Sequence, residues 1–190
     1  MPKIADIQET PNPNAVKFIL KEPLSSGTSH SFKTAADAAD NALAKELFEI
    51  GSVESVFYMD KMITVEKADE ADWDELLPAL AVPIRSAEGV KSTNGNGNGG
   101  SAARVGGAIA AAAGDDPRLG EIEELLDDRI RPYLAGDGGW LEVEGLEGHI
   151  LRIRYQGACG SCPSSLTGTL MAIENLIRVS IDPDIQVVAT

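Results

Sequence analysis

Cysteine is the scarcest informative residue in this 190-residue chain: there are two, Cys159 and Cys162, three positions apart. Two thiols that close together cannot staple a fold, which excludes a secreted disulfide scaffold and leaves metal or redox work in a reducing compartment. Histidine is equally sparse, with only His30 and His149, so no His-rich metal motif exists. Basic side chains are outnumbered, 16 against 30 acidic, for a formal net charge of -14. That balance disfavours adhesion to nucleic acid or to anionic membrane and points to protein partners. No apolar run approaches the roughly 20 residues that cross a bilayer, and Met1 to Glu9 lacks the basic-then-apolar pattern of a secretory leader. The expectation is a soluble, cytoplasmic protein. Ser-His-Asp spacing and phosphate-binding loops are also missing, so a protein without turnover chemistry is expected.

What the chain does have is a division into two parts with similar acidic excess. Residues 87–114 include Asn94-Gly95-Asn96-Gly97-Asn98-Gly99-Gly100-Ser101 and an Ala/Gly run. Such a tract buries too little apolar area to offset its ordering entropy and reads as a flexible linker. It separates residues 1–86 from residues 115–190, and leaves the two free to reorient.

In the first part, Ile4 to Ile7 and Ala15 to Leu20 read as strands around the turn-rich Thr10 to Asn14. Helical spacing of Leu43, Leu47 and Phe48 predicts a helix over 35–48, stopped by Gly51. Val53 to Met59 and Met62 to Glu66 form a hairpin about Asp60-Lys61. Asp72 with Glu75 resembles a capping box opening a helix to Leu80, with Trp73 as core or helix-end packing. In the second part, Asp116-Pro117 starts a helix with an apolar stripe of Ile122, Leu125, Leu126 and Ile130. Its acidic Glu121, Glu123, Glu124, Asp127 and Asp128 read as a solvated face. Asp137-Gly138-Gly139 reads as a turn into a strand, with a supporting role beside a bound group as the alternative. Trp140 to Val143 and Ile150 to Tyr155 alternate as half-buried strands, with a loop holding Gly145 and Gly148. A helix from Pro163 to Val179, with Leu166, Leu170, Ile173 and Ile177 inward, precedes a strand over 185–188. The fold class is α+β: two small domains, the second α-β-β-α-β.

The cysteines fall in Gln156-Gly157-Ala158-Cys159-Gly160-Ser161-Cys162-Pro163-Ser164-Ser165, between a strand and a helix. Unpaired amides at a helix start favour anions, lower a thiol pKa and suit a ligand that binds metal only when deprotonated. An iron-sulfur cluster takes four protein thiolates, and tetrahedral zinc takes four ligands. One chain supplies two; a second copy across a two-fold axis would supply the rest. A thiol-disulfide oxidoreductase, with Cys159 the more exposed thiol and Cys162 its resolver, fits the spacing too, as does a structural zinc-bridged dimer. The Gly-Ser insert and the lack of a preceding aromatic count against a thioredoxin-type pair.

Residues 116 to 190, through Ile130-Arg131-Pro132, Asp137-Gly138-Gly139 and the Gly157 to Ser165 motif, resemble the NifU C-terminal domain of Nfu iron-sulfur carriers. Residues 4 to 85 resemble the N-terminal Nfu domain, through Glu9 to Asn14, Lys17-Phe18, Leu43-Ala44-Lys45, Ile63-Thr64-Val65 and Asp72-Trp73. The resemblance implies a 4Fe–4S cluster, with 2Fe–2S also compatible with four thiolates, held by Cys159 and Cys162 of two chains in a homodimer. It further implies delivery to apo iron-sulfur proteins, and recognition or stability as the task of the first domain; arrival of the cluster from an upstream scaffold and assembly in place both fit the sequence. Trp140 stands where family members usually have an acidic residue, and Gly-Ser where Ser-Gly is common.

Overall fold

In the first domain, apolar residues at alternate positions of β2 (Ala15–Leu20), β4 (Val53–Met59) and β5 (Met62–Lys67) give one sheet face a core to bury. The computed structural model describes residues 3–87, 116–158 and 163–190, with side chains of the last segment from residue 168 onward. Together with β1 (Ile4–Glu9) and β3 (Ser29–Phe32), these strands form an antiparallel sheet in the order β1-β2-β5-β4-β3. Phe18, Leu20, Val56, Ile63 and Val65 point to one face. There they meet Leu47 of α1 (Ala42–Phe48) and Leu76, Leu80 and Ile84 of α2 (Trp73–Ser86). Each such side chain removed from water contributes about 1.5–3 kcal/mol before entropy is counted.

Three features depart from the sequence reading. The helix expected over 35–48 begins only at Ala42, because Asn41 caps it by accepting the Ala44 N–H at 2.9 Å. Residues 35–40 turn instead, with Ala38 alone buried among them. Strand β3, sequence Ser-His-Ser-Phe, carries no alternating pattern and was not expected; it pairs along β4 from Ser29↔Met59 to Phe32↔Val56. Helix α2 runs past Leu80 to Ser86 with Pro78 and Pro83 inside it, and buries Pro83 and Ile84 against the core. At its start the Asp72 side chain accepts from the Asp74 N–H, and Trp73 Nε1 donates to Pro13 O at 3.1 Å, tying the Thr10–Asn14 turn to the helix.

The second domain follows the expected α-β-β-α-β order. Its first helical stretch is split at Ile130 into α3 (Pro117–Arg129) and α4 (Arg131–Gly136). Next come β6 (Gly139–Glu147), β7 (Ile150–Gly157), α5 (Pro163–Ser180) and β8 (Gln186–Ala189). The sheet order is β6-β7-β8, antiparallel then parallel, with α5 as the crossover. Gly145 is a bulge within β6, where a loop was expected; the strand resumes through Leu146, and Gly148 makes the turn. Ile122, Leu126, Leu134, Ile173 and Ile177 cover one face of this sheet. The expected inward position of Leu166, and the linker, lie outside the described residues.

The domains touch. Thr64 Oγ1 of β5 donates to Gly138 O at 2.7 Å, and Lys17 Nζ of β2 donates to Gly136 O at 2.5 Å and Ala135 O at 3.3 Å. Ser29 Oγ donates to Glu142 at 2.6 Å. Linker composition, from which free reorientation was expected, gives no sign of these contacts. The reason is that complementarity between folded surfaces is invisible in the tether.

Candidate functional site

Cys159 and Cys162 lie outside the described residues. By connectivity they sit between Gly157, the end of β7, and Pro163, the start of α5. The described part of the site is the root of that connection, Gln156 to Ala158, and the Asp137–Gly139 turn beside it.

That turn joins α4 to β6, as the sequence predicted. Its N–H groups close the helix: Asp137 donates to Tyr133 O at 3.0 Å and to Leu134 O at 3.1 Å, and Gly138 donates to Ala135 O at 3.2 Å. Gly138 has φ 79° and Gly157 φ 67°, conformations that a Cβ disfavours. Space adds to the demand, since a Cβ on Gly157 would stand 2.5 Å from Gly138 O and 3.0 Å from Phe57 Cδ1. The Gly138 carbonyl then has two donors, the Ala158 N–H at 3.2 Å and the Thr64 hydroxyl at 2.7 Å. Ala158, the residue before Cys159, is thus held by the turn, and the turn by the first domain.

Arg131 organises the other side of the turn. Its guanidinium is buried, bonded to Asp127 at 2.6 Å and Glu123 at 2.7 Å, with Nε donating to Leu141 O at 3.2 Å. Burial works against its charge, yet hydrogen bonds and attraction from Asp127 and Glu123 hold its pKa above the ordinary arginine value. The guanidinium carbon lies 5.5 Å from the centre of the Trp140 ring, a cation-π arrangement. Two of the helix acids read as a solvated face, Glu123 and Asp127, therefore serve as the partners of Arg131. Trp140 is half-buried beside Gln156 in the ladder. The Gln156 side chain is buried too, and its Oε1 has no hydrogen-bond partner among the described residues.

Neither histidine joins this site. His30 stacks on Tyr58 with ring centres 4.6 Å apart, and His149 lies 3.4 Å from Asp182 at the opposite end of β7. Among the described residues no three His, Cys, Asp or Glu side chains gather into a metal-binding group, and no helix is long and apolar enough to cross a membrane. Lys17 and Thr64 entered the sequence reading only as parts of motifs. Each is a polar residue on the strand face opposite the core, a pattern identical to solvent exposure, so no signal in a single sequence finds them.

Comparison with known proteins gives two family matches. The family described as "Scaffold protein Nfu/NifU N terminal" matches residues 4–88, and the "NifU-like domain" matches residues 122–188. A human protein named "NFU1 iron-sulfur cluster scaffold homolog, mitochondrial" is 36% identical over 182 residues, covering 94% of this chain and 68% of the human protein. A protein of the same name from Drosophila sechellia is 32% identical over 182 residues; this chain spans 62% of its length. Among solved structures, a crystal structure of a Staphylococcus aureus protein is 30% identical, with TM-score 0.39 over 43% of this chain and 98% of that one. The solution structure of a NifU-like protein from Saccharomyces cerevisiae is 28% identical, with TM-score 0.39 over 43% of this chain and 76% of that one.

Proposed function

The chain belongs to the Nfu/NifU family of scaffold proteins, and from that premise we propose that it carries an iron-sulfur cluster on Cys159 and Cys162. The observation that carries this reading is the CxxC pair itself, in the strand-to-helix connection between β7 and α5 of a domain that matches the NifU-like family. The cluster is cargo. The protein binds it and passes it on to apo iron-sulfur proteins, having received it from an upstream scaffold, without turnover chemistry of its own. Two thiolates per chain fill half of a cluster's ligand set, so a homodimer holds one cluster, 4Fe–4S in the family's manner, between two copies. A cluster held by two thiolates from each side of a seam is easier to surrender than one enclosed by four ligands of a single chain. Residues 1–86 and 115–190 act as two domains on the linker 87–114, a reading supported by their separate buried cores. A reducing compartment such as the cytoplasm suits the free thiols.

Anaerobic reconstitution with iron and sulfide tests the proposal. The expected result is broad visible absorption with about four iron atoms per two chains. Cys159→Ser and Cys162→Ser should each abolish stable iron binding while circular dichroism stays near wild type. Retained zinc without colour would favour a structural metal, and a fast dithiol–disulfide cycle without iron would favour an oxidoreductase. A single mutant that keeps its full iron content overturns the ligand assignment.

A further inference from the structure

The sheet of the first domain has helices on one face only, and its other face carries a row that crosses all five strands. Register places Gln8, Lys17, Thr64, Phe57 and Ser31 side by side. Were this face open to water, the three central members would be exposed. Instead Lys17 is 6% exposed, Thr64 2% and Phe57 1%, although none of the three faces the helices. Phe57 is absent from the apolar cores of both domains. What covers the row is the second domain.

The fit is specific in chemistry as well as shape. Lys17 reaches the carbonyl oxygens of Ala135 and Gly136 at the end of α4, where a helix runs out of N–H groups for its last carbonyls and only Ala135 O has a donor from the turn, the Gly138 N–H. Its buried ammonium group donates to both of these carbonyls. Thr64 binds the next available carbonyl, that of Gly138, which also holds Ala158. Phe57 lies where a side chain on Gly157 would be, and Thr10 and Thr64 crowd the corresponding place on Gly138. Two positions without a Cβ on one domain thus meet an aromatic ring and two threonine side chains on the other.

We propose that the helix-free face of the first sheet is a docking seat for the Ala135–Gly139 turn and Gly157 of the second domain, and that docking restrains the root of the cysteine connection and slows cluster release. The second half rests on the carrier reading given above; the first half does not. The docked chain is one body in which the first domain grips the Asp137–Gly139 turn and Gly157, and through them the backbone that leads into Cys159. The undocked chain is two bodies on a tether, with the root of the connection free of Thr64.

The seat is tested on the full-length apo chain by backbone amide relaxation. Wild type should give one tumbling time shared by both sheets. Lys17→Glu sets a carboxylate against two carbonyls and should split this into two shorter times. It should move the docked-to-undocked ratio about tenfold or more, as expected when a charge-assisted hydrogen bond is lost. Thr64→Val keeps shape and β-branching while deleting the hydroxyl donor, so it stays informative if the charge reversal disturbs folding. It should shift the amide signals of Gly138, Gly139 and Ala158, more than 70 residues away in sequence. Two tumbling times in wild type, or second-domain amides unmoved by Thr64→Val, overturn the seat. With the cluster bound, loss of iron to an excess of chelator should be severalfold faster in Lys17→Glu than in wild type. Equal rates overturn the regulatory half while leaving the seat standing. A wild-type chain that takes up no iron overturns the carrier reading and the regulatory half with it, while relaxation still decides whether the seat exists.

Discussion

Arg131 shows how one side chain can fasten several backbone segments around a turn. It ties α3 to α4 through Asp127 and Glu123, fastens β6 through the Leu141 carbonyl, and lies against Trp140. Because both acids remain partly exposed, removing the cation does not strand buried charges, so the cost is set by lost packing and by the bond to Leu141. Arg131→Ala should therefore destabilise the second domain by about 1–3 kcal/mol, measured by urea unfolding. Arg131→Lys should recover little of this, since a single ammonium group cannot serve two carboxylates and a carbonyl in the geometry of a planar fork. Full rescue by lysine would show that charge alone matters there. The sequence displayed Arg131 only inside a motif. Its partners lie on the preceding helix, at spacings of four and eight residues, where acids beside a basic residue look the same whether the pair is buried or solvated.

Among the elements, β3 is the one the sequence concealed, and it holds His30, a group whose titration is shifted by folding. A four-residue edge strand of serine, histidine and phenylalanine has no alternation to display; what fixes it is pairing with β4 and the stacking of His30 on Tyr58. Burial lowers the His30 pKa below its ordinary 6.5, and burial raises that of Tyr58, against a weaker opposing effect from its hydrogen bond with Asn41. The folded state therefore favours neutral His30 relative to the unfolded chain. Its contribution is complete above pH 6.5 and is lost as pH falls through the depressed value. Thermal unfolding followed from pH 8 to pH 5 should show the wild-type midpoint falling further than that of His30→Phe, which keeps a stacked ring and cannot titrate; parallel curves would remove His30 from the account. The long strands were legible, because β2, β4, β5, β6 and β7 each carry apolar residues at their core-facing positions. The start of α1 was not, since capping by Asn41 overrode an alanine-rich approach, and neither was the extension of α2 through Pro78 and Pro83. Nor was Gly145 as a bulge, because a glycine three residues before Gly148 signals a loop equally well.

For the whole molecule, the sequence conveyed the two family regions at residues 4–88 and 122–188, while the contact between them stayed hidden. A linker of glycine and asparagine permits independence without requiring it, and the residues that join the domains are single polar side chains on strands 74 and more than 100 positions from the carbonyls they bind. Assembly is the remaining question at this scale, and ligand count sets its answer. On the carrier reading proposed above, a chain offering Cys159 and Cys162 would complete a four-thiolate site only with a second copy, while a formal charge of -14 on each chain opposes self-association when no cluster joins them. The unloaded protein should therefore sediment as a monomer. Anaerobic loading with iron and sulfide should double the mass, in proportion to cluster content, and a chelator should reverse it. Raising salt screens the repulsion between the acidic surfaces and should favour the loaded dimer, while leaving the unloaded chain monomeric, because charge alone supplies no attraction. A monomer that holds a complete cluster with no added thiol ligand would contradict the shared-site reading, and a dimer equally abundant with and without the cluster would show that contacts other than the thiolates join the two copies.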